Sequence, residues 1–181
     1  MAARPSSRAF TQHRVPVHTL IDNKFTEFTR ALLQADGVLD VYMHRSGEPI
    51  TLQGDGQTPE TTVQAMPIDR GLQLLLEDTL LALDGLLALR LRWQDTPEGA
   101  DVRFIRSAGI PYGDNSESTL GLTLSHQGTD GAYWNVLVNG QELGRNVAYQ
   151  GYTSIHELGH VFGLEHLFNG DDGDSYGSKS P

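Results

Sequence analysis

Apolar residues recur at helical spacing in two stretches of the chain, and this period predicts two amphipathic helices. The first should begin after Asp22 and end near Gly37, because glycine commonly terminates helices. Its apolar positions are Phe25, Phe28, Leu32 and Leu33, which we expect to contact the core. The second should run from about Asp69 to Leu87. Its longer apolar stripe consists of Leu72, Leu75, Leu76, Leu80, Leu83 and Leu87.

Other stretches alternate apolar and polar residues, as half-buried strands do. They cover residues 38–44, 50–53, 89–94, 101–105, 119–126 and 133–138. We expect the second of these strands to pair with the first across the turn at residues 46–49. Residues 54–67 are rich in Gly, Thr, Gln and Pro, and this composition predicts a loop or linker.

The charge balance limits the partners that the protein can have. A formal net charge of -10 and a pI near 5.0 would repel nucleic acid and anionic membranes, so we expect neither. The leucine-rich run from Leu72 to Leu91 is interrupted by charges such as Glu77 and Asp84, and it should belong to a protein core rather than a membrane. The chain has no Cys and therefore no disulfides. Its first residues lack the apolar segment of a Sec signal peptide.

The most specific pattern in the chain is HELGHVFGLEH at residues 156–166. Residues four apart on a helix lie about 40° apart around its axis, so His156 and His160 can share a metal ion. A continuous helix would turn His166 to the opposite side, so the helix must end before it. Gly163 can adopt the left-handed conformation that permits this turn. An amphipathic helix with surface histidines is the alternative, but it does not explain why Gly163 and His166 stand where coordination needs them.

Three imidazoles with one open coordination position describe a catalytic zinc site, because structural zinc sites use four protein ligands, mostly thiolates. Glu157 follows the first histidine, where it can take a proton from a water molecule at the open position. We expect Thr153 or Ser154 to cap the helix. The residues expected to hold it against a sheet are Ile155, Leu158, Val161 and Phe162.

This motif has the HExxHxxGxxH form of the metzincin zinc endopeptidases, and it is most similar to the serralysin and matrixin branches. The resemblance implies that His156, His160 and His166 bind zinc, that Glu157 is the general base and that Gly163 forms the turn. It also implies an α+β, zincin-like N-terminal subdomain. Such a subdomain has a twisted, mostly parallel sheet with an antiparallel edge strand, packed on a long helix and the active-site helix.

The resemblance also suggests how the chain is organised. We expect an extended N-terminal arm over residues 1–16, a helix with short strands and a linker over residues 17–66, and the metzincin-like domain over residues 67–181. In metzincins a polypeptide substrate lies along the edge strand through main-chain hydrogen bonds. By its order along the chain, the strand from Thr119 to His126 would have that role here.

Two features depart from the family pattern. Metzincins carry a Met-containing turn after the third histidine, whereas Met1, Met43 and Met66 all precede the motif. We therefore expect either a chain truncated before that turn or a protein partner that supplies the missing C-terminal wall. The acidic tail at residues 169–174 could bind Ca²⁺ through its carboxylates, although a solvated loop is the simpler interpretation.

These observations give two functional hypotheses. The first is a zinc-dependent endopeptidase with three histidine ligands and a Glu157 general base. The alternative is a non-catalytic structural component of a larger secreted or particle-borne assembly, such as a virion, that retains a zinc-binding half-domain. Both favour an extracellular or particle-associated location.

Overall fold

The computed structural model describes residues 16–34, 36–53, 60–87, 89–112 and 119–166. The expected N-terminal arm, apart from Pro16, and the acidic tail at residues 169–174 lie outside these ranges. The described residues form the helices α1 (Asn23–Leu33), α2 (Arg70–Leu87) and α3 (Val147–Val161), and a 3₁₀ turn at Val17–Leu20 precedes α1. They also form the strands β1 (Val38–Met43), β2 (Pro49–Leu52), β3 (Thr61–Gln64), β4 (Arg90–Gln94), β5 (Val102–Ser107), β6 (Gly121–Gly128) and β7 (Gly131–Asn139).

Five of the strands form one sheet in the order β4–β1–β5–β7–β6. The pairs β1–β4, β1–β5 and β5–β7 are parallel, and β6 runs antiparallel to β7 at the edge of the sheet. The remaining two strands, β2 and β3, form a separate antiparallel pair. An α+β fold with a mostly parallel sheet and an antiparallel edge strand is therefore confirmed.

The main core lies between one face of this sheet and the helices. The alternation predicted for β1 is confirmed, because Leu39, Val41 and Met43 all point into this core. The α2 stripe is confirmed at its centre, whereas Leu87 at its end is 40% exposed. The buried members of the core are Leu39, Val41, Met43, Leu72, Leu76, Leu80, Val102, Phe104, Trp134, Val136, Val138, Leu158 and Val161.

Both predicted helix boundaries at α1 are confirmed. The Asp22 carboxylate accepts a hydrogen bond from the Phe25 backbone N–H at 2.9 Å, which caps the first turn. Gly37 has φ +74°, and its N–H donates to the Leu33 carbonyl at 2.8 Å. Phe25 and Phe28 pack against the core as expected, edge-on to Trp134. Helix α1 thus lies against the sheet through its aromatic residues.

The pairing predicted for β2 is wrong. We expected it to pair with β1, but both edges of β1 are occupied by β4 and β5. Strand β2 pairs instead with β3, which lies inside the stretch predicted to be a loop. Only Val63 of β3 is apolar and buried, so the alternation is too short to recognise from the sequence. This hairpin covers the second face of the sheet, where Leu52, Val63 and Ala65 pack against Ile105, Ile110 and Leu137.

No helix within the described ranges is both long enough and apolar enough to cross a membrane. The leucine-rich helix α2 buries Leu72, Leu76 and Leu80 in the main core. The Asp69 carboxylate accepts from the Leu72 backbone N–H at 2.9 Å, close to the predicted start of the helix.

Candidate metal centre

Helix α3 carries His156, Glu157 and His160, and it begins earlier than the sequence predicted. Its N-cap is Asn146, whose side chain accepts from the Tyr149 backbone N–H at 3.2 Å. The expected caps, Thr153 and Ser154, lie inside the helix, so that prediction is wrong. Across residues 147–152, at the start of the helix, only Gln150 and Gly151 are buried.

Two contacts account for that burial. The fully buried side chain of Gln150 accepts from Arg106 Nε at 2.9 Å and donates to the Gly144 carbonyl at 2.6 Å. Gly151 lies so close to Leu75 of α2 that an added Cβ would be 2.7 Å from its Cδ1. The start of α3 is therefore anchored to β5 and α2.

The other end of α3 is held by Leu158 and Val161, which are 2% and 0% exposed. Phe162 packs against the same core. Ile155 does not, because it is 46% exposed. Six residues of helix separate Ile155 from Val161 by about 240°, so the two cannot share a buried face. The prediction that Ile155 holds the helix against the sheet is wrong.

The helix ends where the sequence predicted. Phe162 is its C-cap, and Gly163 has φ +87°, the left-handed conformation that glycine adopts most easily. The chain then runs against the segment that precedes α1. The Asp22 N–H donates to the Gly163 carbonyl at 2.8 Å, and the Glu165 N–H donates to the Leu20 carbonyl at 3.0 Å. These contacts return His166 toward the two histidines on α3.

The three predicted histidines meet in one cluster. Each of His156, His160 and His166 offers a ring nitrogen, and these nitrogens lie within 4.8 Å of one another. The Nε2 atoms of His156 and His166 are 3.0 Å apart. Zinc–imidazole bonds are about 2.0–2.1 Å long, so nitrogens at this spacing are close to the separation that a shared ion requires. The cluster can hold a metal ion.

The tautomer of His160 suits a metal ligand. Its Nδ1 lies 2.7 Å from the carbonyl oxygen of Leu164. A carbonyl can only accept, so Nδ1 carries a proton, and in the neutral ring Nε2 then has the lone pair that a metal needs. A metal-binding histidine commonly has such a partner on its other ring nitrogen, which orients the ring. The exposure of His156 and His166 leaves one side of the cluster open to solvent.

Glu157 lies beside the cluster in a largely buried position. It is 6% exposed, and its Oε2 accepts from the Thr123 hydroxyl at 2.9 Å. Burial raises the pKa of this carboxyl above its ordinary value, and the Thr123 hydrogen bond only partly offsets the rise. Glu157, His160 and His166 line one cavity of about 210 Å³.

Gly121 is a site residue that the sequence analysis did not identify. A Cβ at this position would lie 2.5 Å from Glu157 Oε1 and 2.7 Å from its Cγ, so only glycine leaves room for the Glu157 side chain. Thr123, two residues further along β6, was also missed. A glycine inside an alternating strand often marks a close approach by another group, and this was the available signal.

The strand predicted to bind substrate begins two residues later than expected and reaches Gly128, so Thr119 and Leu120 precede it. It lies at the sheet edge, next to β7, and packs against α3. Thr123 and Gly121 bring this strand into direct contact with Glu157. The histidine cluster, the carboxylate and the edge strand therefore meet in one place.

Compared with protein-family models, curated proteins and solved structures, the chain matches none. Any role of this centre must therefore be inferred from the geometry of its own residues.

Proposed function

We propose that this protein is a zinc-dependent endopeptidase of the metzincin type. The observation that carries the proposal is the cluster of His156, His160 and His166, two of which line one cavity at the sheet edge together with Glu157. The HExxHxxGxxH spacing and the parallel sheet with an antiparallel edge strand support it further. Their combination is what peptide hydrolysis at a three-histidine zinc site requires.

The three imidazoles would hold the zinc, and the ion would polarise the scissile carbonyl as a Lewis acid. Glu157 would act as the general base, because its carboxylate lines the same cavity as His160 and His166. The Thr123 hydroxyl lies 2.9 Å from one carboxylate oxygen, and Gly121 leaves room for the other. Gly121 and Thr123 would thus position the base rather than react.

The substrate would be an extended polypeptide. Within the described residues β6 pairs only with β7, so its outer edge can accept another strand. A peptide added there would be held by main-chain hydrogen bonds. Because Gly121 and Thr123 of the same strand contact Glu157, that peptide would run past the base.

The Glu157→Gln variant tests this mechanism. It keeps the size of the side chain and removes the base, so we expect cleavage of casein to fall by about 10²–10⁴-fold. Bound zinc, measured by elemental analysis, should stay at the parental level because the histidines are intact. Glu27→Gln on the exposed face of α1 is the matched control and should cleave at the parental rate.

Two results would count against the proposal. Cleavage by Glu157→Gln at the parental rate would show that another group activates the water. Stoichiometric zinc with no cleavage by the parent chain, even at high concentration, would instead favour a structural component that retains a zinc site.

A further inference from the structure

The face of the sheet opposite the metal centre carries a row of polar residues. The strand register places Tyr42 of β1 beside Arg103 of β5, and Arg103 beside Asn135 of β7. The β2–β3 hairpin covers this face only in part. Between the sheet and β2 is a cavity of about 370 Å³ that all three side chains line. This volume is within the range of small-molecule sites.

Arg103 contributes a positive charge without an acidic partner. No carboxylate of the described residues lies within ion-pair distance of it, whereas Arg92 on the same sheet pairs with Asp40 at 2.5 Å. Its Nε is buried and has no hydrogen-bond partner. By contrast, the guanidinium of Arg106, three residues along β5, donates to Gln150 and to three backbone carbonyls. Arg106 is satisfied by the fold, whereas Arg103 keeps a buried Nε without a partner and has no acidic neighbour among the described residues.

The position of the Arg103 guanidinium is fixed by an aromatic ring. Its Cζ lies 3.4 Å from the ring centroid of Tyr133, which is 3% exposed. Tyr133 is held in turn by His126, stacked at 4.5 Å, and by Asp130, which accepts from its hydroxyl at 3.3 Å. The cation is thus preorganised at the floor of the cavity.

The rest of the lining combines hydrogen-bonding groups with an apolar wall. Asn135, which is 3% exposed, contributes a polar group to this lining. The Tyr42 hydroxyl lies 3.2 Å from His44 Nδ1. The apolar wall is formed by Pro49, Ile50, Leu52, Pro97 and Ile105.

We propose that this cavity binds a small organic carboxylate with an apolar body. The planar fork of Arg103 matches a carboxylate, and the single charge balances a monoanion. The apolar wall disfavours an inorganic anion such as phosphate, because it would leave the outward oxygens of that anion without hydrogen-bond partners. The apolar wall would bury the body of the ligand. This site is independent of the proposed peptidase activity.

Nuclear magnetic resonance on the full chain tests the proposal with three probes. Benzoate should bind with a dissociation constant of about 10 mM or lower, and its binding should shift the side-chain amide resonances of Asn135. Benzamide has the same shape without the charge and should bind at least about tenfold more weakly, because it leaves the Arg103 charge unpaired. Inorganic phosphate should not compete with benzoate.

Variants locate the interaction. Arg103→Met keeps the aliphatic stem of the side chain and should lower the affinity for benzoate at least about tenfold. Arg103→Lys should lower this affinity less, because it keeps the positive charge. Arg90→Met removes an exposed arginine of β4, outside the cavity, and should leave the affinity unchanged. If Arg103→Met fails to fold, the comparison of benzoate with benzamide on the parent chain still decides.

Several outcomes would overturn the proposal. These are no binding of benzoate, equal binding of benzoate and benzamide, and unchanged binding by a folded Arg103→Met variant. Displacement of benzoate by phosphate would define an inorganic-anion site instead. Shifts confined to His156 and His160 would assign the carboxylate to the metal centre on the other face of the sheet.

Discussion

The two histidines on α3 and the histidine beyond it reach the same cluster by different means. His156 and His160 are brought together by one turn of a single helix, so their proximity is a local property. His166 follows a turn whose backbone bonds to Leu20 and Asp22, more than a hundred residues away in the chain. One part of the site is therefore built by periodicity and the other by tertiary contact.

The junction between these two parts is the last turn of α3. The hydroxyl of Thr29 on α1 donates to the Val161 carbonyl, one of the groups that a helix end leaves without a partner. The Trp134 indole N–H donates to the same hydroxyl at 2.9 Å. Helix α1 thus fixes the end of α3, and the residues just before α1 fix the segment that follows α3. Changes in α1 should affect His166 before they affect His156 and His160.

The largest effect is expected from removing a ligand. His160→Ala should lower the zinc affinity by more than about 100-fold, since even the outer partners of zinc ligands are worth about 10–100-fold. His166→Ala should cause a comparable loss of zinc affinity if His166 binds the ion as fully as the two histidines on α3 do. Competition with a chelator of known affinity measures both, and His44→Ala, just after β1, is the control. If His166→Ala kept the parental zinc affinity, His166 would not be a ligand and only His156 and His160 would bind the ion.

A smaller but more selective effect is expected from Gly163→Ala. The left-handed backbone should cost about 1–2 kcal/mol. The added Cβ would also collide with the Thr26 hydroxyl, at a further cost of about 1–3 kcal/mol. Chemical denaturation measures this loss, and zinc titration should show at least about tenfold weaker binding as His166 moves.

Gly37→Ala is the matched control for that variant. Gly37 also follows a helix with positive φ, but a Cβ there would meet nothing within 4 Å. It should lose only the backbone contribution of about 1–2 kcal/mol and keep the parental zinc affinity. Equal zinc affinities in the two variants would show that the turn does not position His166.

The smallest effect is expected from Thr29→Val. It leaves the Val161 carbonyl and the Trp134 N–H without their partner, which should cost about 1–3 kcal/mol of unfolding free energy. Thr79→Val is the control, because the Thr79 hydroxyl only bonds to the Leu75 carbonyl of its own helix. Thermal unfolding compares the two. Similar losses in both would mean that the junction contributes nothing specific.

The elements predicted well are those with long, regular patterns. Helix α2 and strand β1 follow directly from their apolar periods, since each buries one continuous face. Strand β3 was missed because a four-residue strand with one buried apolar side chain gives almost no period. The start of α3 was missed because Gln150 and Gly151 are buried by Arg106 and Leu75, which are distant in the sequence.

The sequence by itself determined the pair His156 and His160, the turn at Gly163 and the identity of the third histidine, because helix geometry and glycine conformation are local. Only the tertiary structure decided where His166 lies, how Thr123 and Gly121 accommodate Glu157, and that Arg103 lacks an acidic partner in the part of the chain described. These depend on contacts such as that between Thr29 and Val161, which are 132 positions apart. No local pattern encodes the distance between such residues.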